Sequence, residues 1–156
     1  MSEHPNREAT GNSQKLVIRR LIPASAKFLF QAWTEAPRLK EWWGPTGVRC
    51  VEAHIDLRVG GIYRIGNQFP DGAIVWITGE YELVTPPRKL IYTWRLEDSA
   101  TPAERVTVEF QSRTECTEVI VTHEQIACAS LRKQHEAGWL GCLDGLMKSV
   151  PVGRTQ

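Results

Sequence analysis

Apolar residues recur along this chain in changing rhythms, and each rhythm predicts an element. Lys15 to Ile22 is rich in β-branched residues and reads as a strand that stops at Pro23. Ser25 is placed to cap a short helix with Phe28, Leu29 and Ala32 on one face. Pro37 suits the first turn of a second short helix, where its missing N–H costs nothing, and Leu39 with Trp43 continues the apolar stripe. Gly44-Pro45 ends it. Trp42 and Trp43 stand side by side on that helix, so helical geometry sends one squarely inward and leaves the other at a rim, where it would gate a mouth.

From Val48 the period becomes two. Val51, Ala53, Ile55 and Leu57 alternate with Glu52, His54, Asp56 and Arg58, which describes a strand wet on one side. Gly60-Gly61 signals a hairpin, and Ile62 to Gln68 is the returning strand. Pro70-Asp71-Gly72 makes the next turn, Ile74 to Val84 a strand, Pro86-Pro87-Arg88 a turn, and Lys89 to Leu96 a further strand. Val106, Val108 and Phe110 share one face of the following strand, and Thr117, Val119, Val121 and His123 share one face of the last. Six consecutive strands with short turns predict an antiparallel meander.

The final rhythm is helical. Leu131, His135, Gly138, Trp139, Cys142, Leu143, Leu146 and Val150 fall within one arc, with Lys133, Gln134, Asp144 and Lys148 opposite. An amphipathic helix of about five turns must bury that arc, and the concave face of the sheet is the only large partner. The expected class is therefore α+β: a helix-grip arrangement, β-α-α-β6-α, in which a curved antiparallel sheet wraps a long C-terminal helix and a cavity lies between them. Leu140 points away from the buried arc and hints at a subunit contact, so the expected state is monomer or homodimer.

Composition narrows the class of function. The 156 residues suit one domain, expected over residues 15–152, with residues 1–14 forming a polar, disordered tail. Nineteen basic and 18 acidic residues leave a formal charge of +1, which gives no electrostatic reason to expect nucleic acid or an anionic membrane as partner. No apolar run approaches the roughly 20 residues of a membrane span, and no apolar export segment opens the chain, so a cytoplasmic location is expected. Cys50, Cys116, Cys128 and Cys142 contain no CxxC pair and read as reduced thiols.

Several short motifs add to this reading. They are Ala32-Trp33-Thr34 with Pro37, Trp42-Trp43-Gly44-Pro45, and Asp56-x-Arg58-x-Gly60-Gly61-x-Tyr63-Arg64. Further on come Gly79-x-Tyr81, Pro86-Pro87-Arg88-x-Leu90, Tyr92-Thr93-Trp94, and His135-x-x-Gly138-Trp139. In this order and spacing the chain resembles the START-like (SRPBCC) superfamily, and within it proteins similar to the C-terminal domain of the activator of the heat-shock-protein-90 ATPase. The family's turn before the last strand is often glycine-rich, whereas this chain has Arg113-Thr114-Glu115-Cys116. The resemblance implies the helix-grip fold with a hydrophobic cavity. Its relatives include lipid and hormone binders, polyketide cyclases and proteins with no known ligand, so it implies no single reaction.

The candidate chemistry is sparse. Tryptophan joins a large apolar surface to one N–H donor, so the six tryptophans suit either a core or a ligand wall. Trp33 reads as packing, Trp139 as facing the concavity, and the facing of Trp76 and Trp94 stays open. His123 and His135 lie on buried arcs, as core histidines or as polar anchors within an apolar cavity. His54, Asp56 and Arg58 share a strand face and read as a solvated surface beside a hairpin. No nucleophile elbow, phosphate-binding loop or clustered metal ligands are apparent, and no acidic partner lies near His135 and Cys142. No catalytic residue, metal or cofactor is expected.

The expected function is a non-catalytic binding domain for a small hydrophobic molecule, its cavity lined by Trp43, Tyr81, Trp94, His123, His135 and Trp139. Two alternatives stand beside it: a co-chaperone-like protein modulating a heat-shock chaperone ATPase, and a cyclase- or hydrolase-like enzyme using the cavity.

Overall fold

The computed structural model describes residues 13–151; most of the expected tail and the expected C-terminal boundary of the domain lie outside them. Seven strands form one antiparallel sheet: β1 (Gln14–Ile22), β2 (Arg49–Ile55), β3 (Ile62–Gln68), β4 (Ile74–Thr85), β5 (Lys89–Leu96), β6 (Glu104–Arg113) and β7 (Cys116–Ile126). Their order is β1-β7-β6-β5-β4-β3-β2, so the six-strand meander is continuous and β1 closes onto β7. Three helices complete the chain: α1 (Ala26–Thr34), α2 (Ala36–Trp42) and α3 (Ala129–Ser149). No helix among the described residues is long and apolar enough to cross a membrane.

Local chemistry explains the element ends. The Ser25 hydroxyl accepts the Phe28 backbone N–H and caps α1. Pro37 sits in the first turn of α2. Between β6 and β7 the turn needs a left-handed residue, and Glu115 supplies it at φ 64° where glycine would be free of strain. One local expectation needs correcting. Trp42 and Trp43 are both buried, at 4% and 8% exposure. The helix stops at Trp42, and Trp43 is its extended C-cap with ψ 136°, so the two side chains are not held to helical spacing. The wet strand also ends sooner than its pattern suggests: β2 stops at Ile55, and Leu57 beyond it is exposed.

The inner face of the sheet reads two residues at a time. Tyr63, Ile65 and Asn67 on β3, Leu90 and Tyr92 on β5, and Val106, Val108 and Phe110 on β6 are buried. So are Thr117, Val119, Val121 and His123 on β7. Over this face lies α3, burying Trp139, Cys142, Leu143 and Leu146. Its approach to the segment after α2 is too close for side chains: a Cβ on Gly141 would stand 2.9 Å from Pro45 Cα, and one on Gly145 would stand 2.6 Å from the Trp42 carbonyl oxygen. That contact brings the Trp43 and Trp139 rings to 5.5 Å, edge to face.

Alternation of strand direction then sorts the core into two halves. The C-terminal ends of β3, β5 and β7 and the N-terminal ends of β4 and β6 meet at one end of the sheet. Asn67, Trp94, His123 and Glu104 all stand there. At the other end the inner face carries Leu90, Val108, Phe110 and Val119, each at most 2% exposed. One half is an oily core; the other is an aromatic chamber with polar groups in it.

Candidate functional site: a polar cluster in an aromatic cavity

At that polar end, between the sheet and the N-terminal half of α3, lies an open-mouthed cavity of about 640 Å³. Its walls are largely apolar and include Trp43, Phe69, Ile77, Trp94, Leu131 and Trp139. Glu104, His123 and His135 also border it. A volume of this size falls within the range of small-molecule sites, which typically hold few polar groups among apolar walls.

The polar groups are tightly organised. Trp139 Nε1–H donates to His123 Nδ1 at 3.0 Å. His123 Nε2 lies 2.7 Å from Glu104 Oε1, and His135 Nε2 lies 2.9 Å from the same oxygen without the alignment of a hydrogen bond. The two imidazoles stack at 4.4 Å, and Trp94 presents an edge contact to His135 at 4.8 Å. Register accounts for the assembly. Trp94 pairs directly with Glu104 across β5 and β6, and His123 pairs with Val106, two residues further along the inner face of β6.

Hydrogen positions follow from the donor inventory. Indole can only donate, so His123 Nδ1 is an acceptor; the neutral ring therefore carries its proton on Nε2 and donates it to Glu104. Burial pulls the His123 pKa below its ordinary value, the Glu104 contact opposes this, and the charge of His135 adds to the lowering. For Glu104, burial pushes the carboxyl upward, but the contacts with His123 and His135 together outweigh it and leave the group below its ordinary value. The cluster is thus a carboxylate facing imidazole nitrogens, with one imidazole fixed as a neutral donor.

Glu104, His123 and His135 each present one atom suited to a cation, all within 4.8 Å of one another. The acidic partner that the sequence reading did not find near the histidines is Glu104. The donor set alone would suit zinc, but the hydrogen bonding opposes it. A metal needs the lone pair of His123 Nε2, and Trp139 places the proton there. Two further buried polar atoms among the cavity-lining residues, Trp43 Nε1 and Asn67 Oδ1, lack a partner among the described residues.

Five of the residues expected to line a cavity, Trp43, Trp94, His123, His135 and Trp139, border this one. Tyr81 does not. It packs against Tyr63 and Tyr92 beside a nearly filled apolar pocket of about 20 Å³. Trp33 is tied into the core, donating to the Tyr92 hydroxyl at 3.2 Å and stacking on Trp139. Trp76 lies against the Arg64 guanidinium, 3.7 Å from its ring centre. His54 and Arg58 are exposed, and Arg58 pairs with Asp56. Cys142 borders the cavity, but burial pushes its thiol up to about 12.

Glu104 and Asn67 were missed by the sequence reading. Both carried a signal: each sits two residues along from an apolar run on one strand face, Glu104 before Val106 and Val108, Asn67 after Tyr63 and Ile65. A polar residue in phase with a buried stripe points into the core.

The family model for "Activator of Hsp90 ATPase homolog 1-like protein" matches residues 23–150. Solved structures share the fold. A protein from Chromobacterium violaceum is 23% identical with a TM-score of 0.81, over 87% of this chain and 96% of that one. The AHSA1 protein of Silicibacter pomeroyi is 21% identical with a TM-score of 0.79, over 88% and 97%. An HSP90 activator from Plasmodium falciparum is 26% identical with a TM-score of 0.69, over 85% and 92%. No curated protein matches the chain.

Proposed function

The chain belongs to the activator of Hsp90 ATPase homolog 1-like family, and we propose that it is a binding domain taking a small, largely apolar molecule into the cavity beneath α3. The observation that carries this reading is the Glu104–His123–His135 cluster bordering an aromatic chamber. A core that needed only stability would gain little from a carboxylate there, since replacing buried ionic groups with apolar ones is often neutral or stabilising. A binding site has a use for it, because a few fixed polar groups orient a guest that apolar walls hold without direction.

The test is a thermal-shift and tryptophan-fluorescence screen against a library of small ring compounds. A ligand that binds only the folded state raises the melting temperature by mass action, by the equivalent of about 2.7 kcal/mol at a hundredfold excess over Kd. Members of the library are expected to do so and to change the emission of the tryptophans at the cavity. A library with no binder would end the proposal.

Modulation of a heat-shock chaperone ATPase is a second reading, favoured by the family and by the likeness to the Plasmodium falciparum HSP90 activator. Purified chaperone should then turn over ATP faster at saturating amounts of this protein, and an unchanged rate would remove the reading.

A further inference from the structure

The direction of the hydrogen bonds in the cluster specifies one chemical feature of its guest. Resting on the binding reading above, we infer that the cavity selects a neutral, ring-bearing alcohol or phenol whose hydroxyl donates to His135 Nδ1. The chain of reasoning begins at Trp139, which can only donate, and so puts the His123 proton on Nε2 and aims it at Glu104. Glu104 Oε1 also faces His135 Nε2 at 2.9 Å. A lone pair on that nitrogen would oppose the lone pairs of the carboxylate, so Nε2 carries hydrogen there. In the neutral imidazole, Nδ1 is then the acceptor.

Nδ1 of His135 has no hydrogen-bond partner among the described residues, and of the two ring nitrogens only Nε2 is sealed from solvent. The cavity therefore holds an open acceptor of fixed direction, set beside the Trp94 ring. Its complement is a donor. A cationic donor is disfavoured at the same cavity by the Arg95 guanidinium, which donates to the Leu96 and Glu97 carbonyl oxygens. A carboxylate ligand offers no hydrogen to Nδ1 and would approach Glu104, itself a carboxylate. A hydroxyl meets every condition. Aromatic rings on the guest match walls made of Trp43, Trp94 and Trp139.

Calorimetric titration near pH 8 separates the possibilities with three probes of one ring system: naphthalene, methoxynaphthalene and naphthol. Methoxynaphthalene keeps the oxygen of naphthol but cannot donate. Naphthol is expected to bind at least about tenfold more tightly than either. His135→Phe should erase that preference while naphthalene binding persists, which also shows the variant folded. Should that variant fail to fold, histidine NMR on the unaltered protein decides instead: naphthol should move the His135 Nδ1 resonance and methoxynaphthalene should not. Equal affinity for naphthol and methoxynaphthalene, tighter binding of naphthylmethylamine than of naphthol, or an unmoved Nδ1 resonance would overturn the inference and leave the binding reading intact. Failure of all the probes, naphthalene included, would overturn both.

Discussion

Trp139 donates its indole N–H to His123 Nδ1 at 3.0 Å, and this one bond sets the hydrogen direction through His123 to Glu104. Trp139→Phe keeps most of the ring but removes the donor, leaving a buried acceptor unpaired. The expected loss of stability is about 1–3 kcal/mol, read from the urea midpoint. The same variant frees His123 to place its proton on Nδ1, so histidine NMR should show a mixture of tautomers in place of one.

A second consequence concerns metals. With the Nε2 proton of His123 no longer enforced, Trp139→Phe should bind Zn²⁺ more tightly than the unaltered protein, by about tenfold or more in a competition titration. Equal zinc affinity in the two proteins would show that the indole does not guard the site.

Acid should weaken the fold in two overlapping stages. His123 titrates below its ordinary value in the folded state, so its contribution is full above about pH 6.5 and is lost as pH falls toward the folded value. Glu104 is also shifted down, so its contribution is full above the ordinary carboxylate range and is lost as pH falls through the folded value. Both slopes run the same way. Urea unfolding across this range should show stability declining from near neutrality, and His123→Phe should flatten the upper part of that decline.

Thiol reactivity should follow burial. Cys128 is exposed, and its hydrogen bonds with the Ser130 hydroxyl and the Leu131 backbone hold its thiol below the ordinary value. Cys142 is buried, with its thiol pushed up to about 12. An aromatic disulfide reagent should therefore label Cys128 first, while Cys142 reacts only on unfolding. Rapid labelling of Cys142 in the native protein would contradict the packing of α3 described above.

The sheet offers a stricter check. A Cβ on Gly79 would stand 1.9 Å from the Thr93 carbonyl oxygen and 2.6 Å from Tyr63 Cε2. Gly79→Ala should cost about 1–3 kcal/mol or more, since neither the paired strand nor the buried ring can retreat. Its urea midpoint decides.

Much of this architecture is written locally. The period-two faces of β6 and β7 and the helical arc from Leu131 to Val150 name their own partners, because each leaves one apolar surface to cover. The Trp42–Trp43 pair misleads because a helix end, set by backbone conformation at one residue, changes which way the next side chain points. The site was half legible. His123 and His135 announce themselves by sitting on apolar faces, and Trp139 by its place in the helix. Glu104 lies 19 residues before His123 and becomes its partner only through the register of β6 against β7. Tyr81 shares an inner face with the cavity residues but lies toward the oily end of the sheet. Facing is a property of strand period, whereas position along the strand, which decides what a residue lines, depends on where each hairpin turns.

The most direct trial of the account follows the six indole N–H signals by NMR while a compound from the thermal screen is added to saturation. Binding beneath α3 should move the Trp43, Trp94 and Trp139 signals and leave that of Trp76, which lies against Arg64, in place. Movement confined to Trp76, or none at all at saturation, would contradict it.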